Sequence, residues 1–185
     1  QYTEFMALIL AYQGNGTAVV ATDLQKNGHE RLVKSANGMY YFAFPLSIPP
    51  LMEHYMGALT LDRLVESGFP NLKSISALNG CEDYCCIILD PSAPQLYFRS
   101  GEGSDIAKVG KNTAVLLFDK RVGFMTREHS LRGKNPVDIA DFFIDTIRDF
   151  SGALDNAGGY DARISQGGRV VQYANSKHPA PSLLS

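Results

Sequence analysis

The sequence predicts an α+β fold in which two stacked antiparallel sheets lie between two layers of helices, a four-layer αββα sandwich. Three observations predict it. Asn-Gly turns join apolar runs into hairpins early in the chain, a proline-rich turn joins two more strands near its middle, and helical segments separate these strand pairs. The element order is ββββ–αα–ββ–αα–ββ, and helices inserted between antiparallel strand pairs are typical of layered folds.

The opening hairpin is the strongest local signal. Two apolar runs, Ala7–Tyr12 and Thr17–Ala21, flank the residues Gln13-Gly14-Asn15-Gly16. An Asn-Gly pair tolerates the positive φ angles of a tight hairpin turn. Because both runs are almost wholly apolar, they predict central strands that are covered on both faces. The second run leads to Asp23, a carboxylate at the rim of the sheet.

A second hairpin and a helical region follow. The segment Arg31–Phe44 predicts two strands around Asn37-Gly38, and we expect both hairpins to build one sheet. Prolines at 45, 49 and 50 end the last strand and open a helix whose apolar residues continue to Gly68. The segment Asn71–Asn79 predicts a shorter helix or a loop.

The central part of the chain contains a further strand pair. Cys85–Leu89 and Gln95–Arg99 are β-prone runs around a proline turn, and Ile106–Val109 predicts a short strand. Thr113–Phe124 is apolar at helical spacing and predicts a helix, with a strand as the alternative for its first eight residues.

An amphipathic helix and a final hairpin complete the fold. Asn135-Pro136 is a typical start for the helix. The residues predicted to share its apolar face are Ile139, Phe142, Phe143, Thr146, Ile147 and Phe150. Gln166-Gly167-Gly168 then predicts the turn of the last hairpin.

Composition limits the classes of function. The 185 residues form one domain, with residues 1–6 as a lead-in and residues 175–185 as an irregular tail. The net charge is −2 without a basic run, which argues against nucleic acid or an anionic membrane as a partner. No apolar stretch reaches the roughly 18–20 residues that span a bilayer. Three cysteines within six residues are a poor disulfide framework and favour a reducing compartment.

Three strings carry a family resemblance. The opening hairpin ends in Val-Val-Ala-Thr-Asp at Asp23, the central strand pair reads CCIILDPSAPQLYFRSGEG, and Asp155-Asn-Ala-Gly-Gly159 follows the last helix. With the element order, these strings resemble the β-type subunits of the proteasome, in the N-terminal-nucleophile hydrolase superfamily. The resemblance extends from Met6 to about Ala174.

The resemblance implies a degenerate catalytic site. In the superfamily the nucleophile is the first residue of the mature chain and its own α-amine serves as the base. Ala7 matches the catalytic threonine and is preceded by six residues, while Arg31 lies near the position of the catalytic lysine. Asp23 and Asp155 match the two aspartates of the family. Alanine has no nucleophile and arginine stays charged, so the site is expected to be inactive.

The resemblance therefore implies a non-catalytic β-type subunit, which contributes to ring assembly and the chamber wall of a protein-degrading barrel. Its partners would be other α- and β-type subunits, with peptide substrates in the chamber, no nucleic acid, no membrane and no cofactor or metal. The implied location is the cytoplasm, and also the nucleus if the source is a eukaryote.

Alternative interpretations remain open. The chain could be an N-terminal-nucleophile hydrolase or transpeptidase whose nucleophile has been replaced at Ala7. Cys81 with His129 could form the thiol and base of a glutamine deamidase, because Leu-Ser-Gly-Cys of the cytotoxic-necrotising-factor type resembles Leu-Asn-Gly-Cys here. Cys81, Cys85 and Cys86 could hold zinc, but they lack a second ligand pair. Asp23 and Asp155 could equally be strand-end and turn carboxylates.

The remaining histidines carry no catalytic prediction. His29, His54 and His178 have no partner visible in the sequence and are interpreted as surface or cap residues.

Overall fold

The computed structural model describes residues 8–25, 28–34, 38–44, 85–100, 107–118, 121–125, 131, 134–149 and 159–178. Within these ranges lie eleven strands and one helix. The strands are β1 (Leu8–Gly14), β2 (Thr17–Asp23), β3 (Leu32–Lys34), β4 (Tyr40–Phe44), β5 (Cys85–Asp90), β6 (Gln95–Ser100), β7 (Ala107–Lys108), β8 (Thr113–Phe118), β9 (Arg121–Met125), β10 (Tyr160–Gln166) and β11 (Arg169–Tyr173). The helix, α1, is Pro136–Asp149.

The first sheet has six antiparallel strands in the order β11-β10-β2-β1-β8-β9. Its centre is the predicted opening hairpin, in which Asn15 and Gly16 adopt φ angles of 54° and 73°. Every residue of β1 and β2 is buried. The prediction of a central hairpin covered on both faces is therefore confirmed, although Gln13 and Gly14 belong to β1 rather than to the turn.

The second sheet has five antiparallel strands in the order β3-β4-β5-β6-β7. The hairpin β3–β4 is confirmed, but the prediction that it joins β1 and β2 in one sheet is wrong. Strand β2 pairs with β10, and β4 pairs with β5. A turn signal specifies only which two neighbouring strands form a hairpin, and the choice of sheet depends on distant partners.

The helix predicted at Thr113–Phe124 is also wrong. This segment contains β8 and β9, and β8 pairs with the edge of β1 that β2 leaves open. A short apolar run fits a buried strand and a buried helix equally well by periodicity. The strand alternative for the start of this segment describes it correctly.

The two sheets stack face to face. The core between them combines side chains of β1, β2 and β8 with side chains of the second sheet, among them Phe42, Ile87 and Phe98. Helix α1 covers the opposite face of the six-stranded sheet, where it packs on residues such as Leu10, Val19 and Ala162. The described residues therefore form an α+β fold with two antiparallel sheets and one helix.

The buried face of α1 differs from the predicted one. Asn135 Oδ1 accepts a hydrogen bond from Asp138 N at 2.8 Å, which confirms the predicted start of the helix. Phe142, predicted to be apolar core, has 43% of its surface exposed. The buried residues are Ile139, Ala140, Phe143, Ile144 and Ile147. The apolar stripe is thus rotated toward Ala140 and Ile144, as expected for the i, i+3, i+4 pattern of a helix on a sheet.

Several predictions fall outside the described residues. They concern the helices between Pro45 and Asn79, the lead-in, and Phe150 on α1. Within the described ranges, no helix is long and apolar enough to cross a bilayer.

Candidate functional site

The candidate site lies where β2 ends. Asp23 is the last residue of β2 and is wholly buried, with Tyr160 of β10 beside it in the sheet. After Asp23 the chain makes a closed turn, in which Gln25 N donates to His29 O at 2.9 Å and Gln25 Nε2 donates to Glu30 O at 3.0 Å. This turn brings Arg31 back to the end of β2.

Arg31 and Asp23 form a two-point ion pair. Arg31 Nε donates to Asp23 Oδ1 at 3.0 Å, and Arg31 Nη2 donates to Asp23 Oδ2 at 3.2 Å. The backbone N–H of Leu8 also donates to Asp23 Oδ1, at 2.9 Å. The side chain of Arg31 is only 2% exposed and that of Asp23 is 0% exposed. Both charges are therefore compensated inside the protein.

The chemistry of this cluster is structural. Both carboxylate oxygens accept hydrogen bonds from the Arg31 guanidinium, so each charged side chain is held by the other. The Leu8 bond ties the start of β1 to the end of β2. The three groups fix the backbone around the first described residue of the chain, and none of them is a nucleophile.

The structure brings together two of the four residues that the resemblance assigned to the degenerate site. Asp23 and Arg31 are in contact, and Leu8 is the residue that follows Ala7 in the chain. Ala7 and Asp155 lie outside the described residues. The two-point geometry of the Asp23–Arg31 pair depends on the turn between these residues.

The other candidate residues are mostly outside the described ranges. Cys81, His129 and His54 fall there, and Cys85 and Cys86 are the first two residues of β5. In the part of the chain that the structure describes, no three His, Cys, Asp or Glu residues are grouped so that they could hold a metal ion.

His178 lies in the last turn of the described chain. Its Nε2 is 3.7 Å from Asp145 Oδ1, and its side chain is 25% exposed. The Tyr160 hydroxyl donates to its backbone oxygen. His178 thus connects the end of the described chain to α1 and β10. The sequence predicted a surface or cap residue at this position.

Sequence reasoning missed a second polar cluster, on the face of β10 that points toward the second sheet. Asp161 is 1% exposed. Its Oδ1 accepts from Arg163 Nε at 2.8 Å and from Gln172 Nε2 at 3.2 Å. Burial raises the pKa of Asp161, and the hydrogen bond and charge of Arg163 offset part of this effect. The sequence signal that indicates this cluster is the pair of polar residues Asp161 and Arg163 at alternate positions of β10.

Two hydroxyl groups lie on the same face of the sheet as Asp161. Thr22 is its cross-strand neighbour, and Ser165 is four residues further along β10. Thr22 Oγ1, Ser165 Oγ and Asp161 Oδ2 are buried and find no hydrogen-bond partner among the described residues. Buried polar atoms of this kind are often satisfied by an ordered water.

No protein-family model matches this sequence, and a comparison with curated proteins gives no match either.

Proposed function

We propose that this chain is a non-catalytic β-type subunit of a proteasome-like barrel, which forms part of a ring and of the chamber wall while sibling subunits cleave peptides. The observation that carries the proposal is the buried Asp23–Arg31 pair beside the start of β1. In the family that the sequence resembles, an aspartate and a lysine at this place support an N-terminal nucleophile. Here the same corner of the fold holds a closed ion pair.

The residues at this corner are unsuited to hydrolysis. Covalent catalysis of this kind needs a hydroxyl or thiol within reach of a base. Ala7 offers a methyl group, and Arg31 cannot lose its proton at physiological pH. Asp23 accepts hydrogen bonds through both oxygens, so it is already committed to holding Arg31 and Leu8. A structural role is the one that these groups support.

The architecture supports the same proposal. A central hairpin, a second stacked sheet and a helix on the outer face of the first sheet are three of the four layers in an αββα sandwich. On the outer face of the second sheet, Tyr41, Ile88 and Tyr97 are at most 2% exposed, so that face is covered.

The proposed partners are other α- and β-type subunits, and the proposed location is the cytoplasm, with the nucleus added in a eukaryote. The test is to tag the chain in its source cells, isolate it under native conditions and assay the particle with fluorogenic peptides. We expect peptidase activity to co-purify with the tagged chain, and the recombinant chain alone to have none. A covalent inhibitor directed at N-terminal threonines should label sibling subunits and leave this chain unlabelled.

Two results would overturn the proposal. Peptidase activity of the recombinant chain by itself would favour the hydrolase alternative. A tagged chain that is isolated alone, without sibling subunits, would remove the ring from the proposal.

A further inference from the structure

Three turns meet at the end of the sheets opposite the Asp23–Arg31 pair. They are the turn between β1 and β2, the turn between β5 and β6, and the segment from β7 to β8. Together they enclose a cleft of about 500 Å³, a size typical of sites for small molecules. Because β1 spans the sheet, this cleft lies roughly 20 Å from Leu8, at ~3.3 Å per strand residue.

Two glutamines line the cleft, Gln13, which is buried, and Gln95, which is partly exposed. Gln13 is 6% exposed, its Oε1 accepts from Leu96 N at 2.5 Å, and its Nε2 donates to Gln95 Oε1 at 3.3 Å. Gln95 Nε2 donates both hydrogens, to Leu96 O and Val109 O at 2.8 Å each. A primary amide carries two N–H groups. The second one of Gln13 has no acceptor among the described residues, so a buried donor is left available at the cleft.

The wall of the cleft is held in place by a tight contact between β1 and the segment before β8. The Tyr12 hydroxyl donates to Asn112 Oδ1 at 3.1 Å. A Cβ at Gly14 would lie 2.7 Å from each of these two oxygens, so the approach requires glycine. Asn112 has a positive φ of 54°, and Thr113 Oγ1 donates to Lys111 O at 3.1 Å. The cleft is therefore formed before any ligand arrives.

The described residues that line the cleft carry a net positive charge. Lys108 and Lys111 line it, and neither makes an ion pair with another described residue. None of the described residues that line the cleft is a carboxylate. The neighbouring Asp90 is turned to its own loop, where its Oδ1 accepts from Ser92 N at 3.0 Å and from Ser92 Oγ at 2.7 Å.

We propose that this cleft binds a small organic anion, whose carboxylate or phosphate group is held by Lys108 and Lys111 and whose polar body reaches the free amide hydrogen of Gln13. Two ammonium groups beside a buried N–H donor favour an oxyanion over a neutral ligand. The glycines at 16 and 110 let a ligand approach the backbone closely, because a Cβ would meet no atom within 4 Å at Gly16 and would have its nearest contact at 3.6 Å at Gly110. This site is separate from the Asp23–Arg31 corner and does not depend on the proposed function.

The test is an NMR titration of the ¹⁵N-labelled 185-residue chain with citrate, adenosine monophosphate and inorganic phosphate, with adenosine as the neutral control. We expect at least one anion to shift the amide signals of Gly14, Leu96 and Gly110 in a saturable way, and adenosine to shift none of them. Saturable shifts with citrate alone would identify a carboxylate ligand. Saturable shifts with adenosine monophosphate and inorganic phosphate, but not with citrate, would identify a phosphate ligand. Added NaCl should weaken the binding, because the contacts are exposed to screening.

Variants separate this site from general attraction of anions to the surface. The double change Lys108→Met and Lys111→Met should weaken binding about tenfold, as expected for two partly exposed charge contacts. The matched control changes Lys134 and Lys177 to Met. Both lysines are exposed and neither is among the described residues that line the cleft, so this variant should bind the anion as the unaltered chain does. Circular dichroism checks that both variants are folded.

Three results would overturn the proposal. They are an absence of saturable shifts with all three anions, shifts of the same size with adenosine, and equal binding by the double variant and its matched control.

Discussion

The most demanding prediction concerns the ion pair between Asp23 and Arg31 and its contribution to the free energy of unfolding. The change Arg31→Met keeps a long apolar stem and removes the guanidinium. It eliminates the hydrogen bonds of 3.0 and 3.2 Å to Asp23 and leaves a carboxylate with 0% exposure without this cation. Removing one partner of a buried pair typically costs about 3–5 kcal/mol in the free energy of unfolding. We expect a loss in that range.

A double variant tests whether the loss comes from the stranded charge. Changing Asp23→Leu together with Arg31→Met removes both charges and leaves the Leu8 N–H without its acceptor. An unsatisfied buried donor costs about 1–3 kcal/mol. The double variant should therefore be more stable than Arg31→Met alone.

Urea unfolding followed by circular dichroism measures these differences. The matched control is Glu30→Gln, which breaks a longer and more exposed pair, with Arg163 Nη2 at 3.8 Å and exposures of 15% and 28%. Such pairs contribute about 0–1 kcal/mol. The reasoning would be refuted if Arg31→Met were as stable as Glu30→Gln, or if the double variant were less stable than Arg31→Met.

Three further predictions concern other parts of the molecule. Burial raises the pKa of Asp161 above its ordinary value of 3.8. Protonation of Asp161 therefore contributes fully to the free energy of unfolding below pH 3.8. This contribution is lost as the pH rises through the folded-state pKa. Asp161→Asn should therefore flatten the decline of unfolding free energy with pH, measured against the unaltered chain by urea titrations at several acidic pH values. Gly14→Ala should cost about 1–3 kcal/mol through overpacking, whereas Gly110→Ala, whose Cβ would have its nearest contact at 3.6 Å, should unfold at nearly the same urea concentration as the unaltered chain. Ala7→Thr, produced in a chain that begins at the substituted residue, should hydrolyse no fluorogenic peptide because Arg31 cannot act as the proton carrier, and measurable turnover would contradict this.

The local signals in the sequence predicted most of the strands. The hairpins β1–β2, β3–β4, β5–β6 and β10–β11 each have a turn whose residues favour tight reversal, and all four form. Sheet membership depends on contacts between strands far apart in the chain. The pairing of β2 with β10 joins Asp23 to Tyr160, and nothing near either residue specifies that partner.

The helix errors have the same origin. The run from Thr113 is apolar on all sides, so its periodicity does not separate a helix from a buried strand, and the open edge of β1 decides the outcome. Phe142 is exposed because the face of α1 that meets the sheet contains Ala140 and Ile144 instead.

The family resemblance named Asp23 and Arg31 among the residues of a degenerate site, and these two residues form an ion pair. Their correspondence to the site of that family stays a prediction. The hydrogen bonds between Gln13 and residues of β6 join positions more than 80 residues apart in the chain. A glutamine beside an Asn-Gly turn is expected in a loop, so its burial in β1 could be learned only from the fold.

Native mass spectrometry of the particle that contains this chain in its source cells tests the central claim most directly. The proposed role predicts an assembly of several hundred kilodaltons, in which this chain occurs with sibling subunits of similar size. A free monomer or a small homo-oligomer would contradict it and would leave only the fold and the separate anion site to explain.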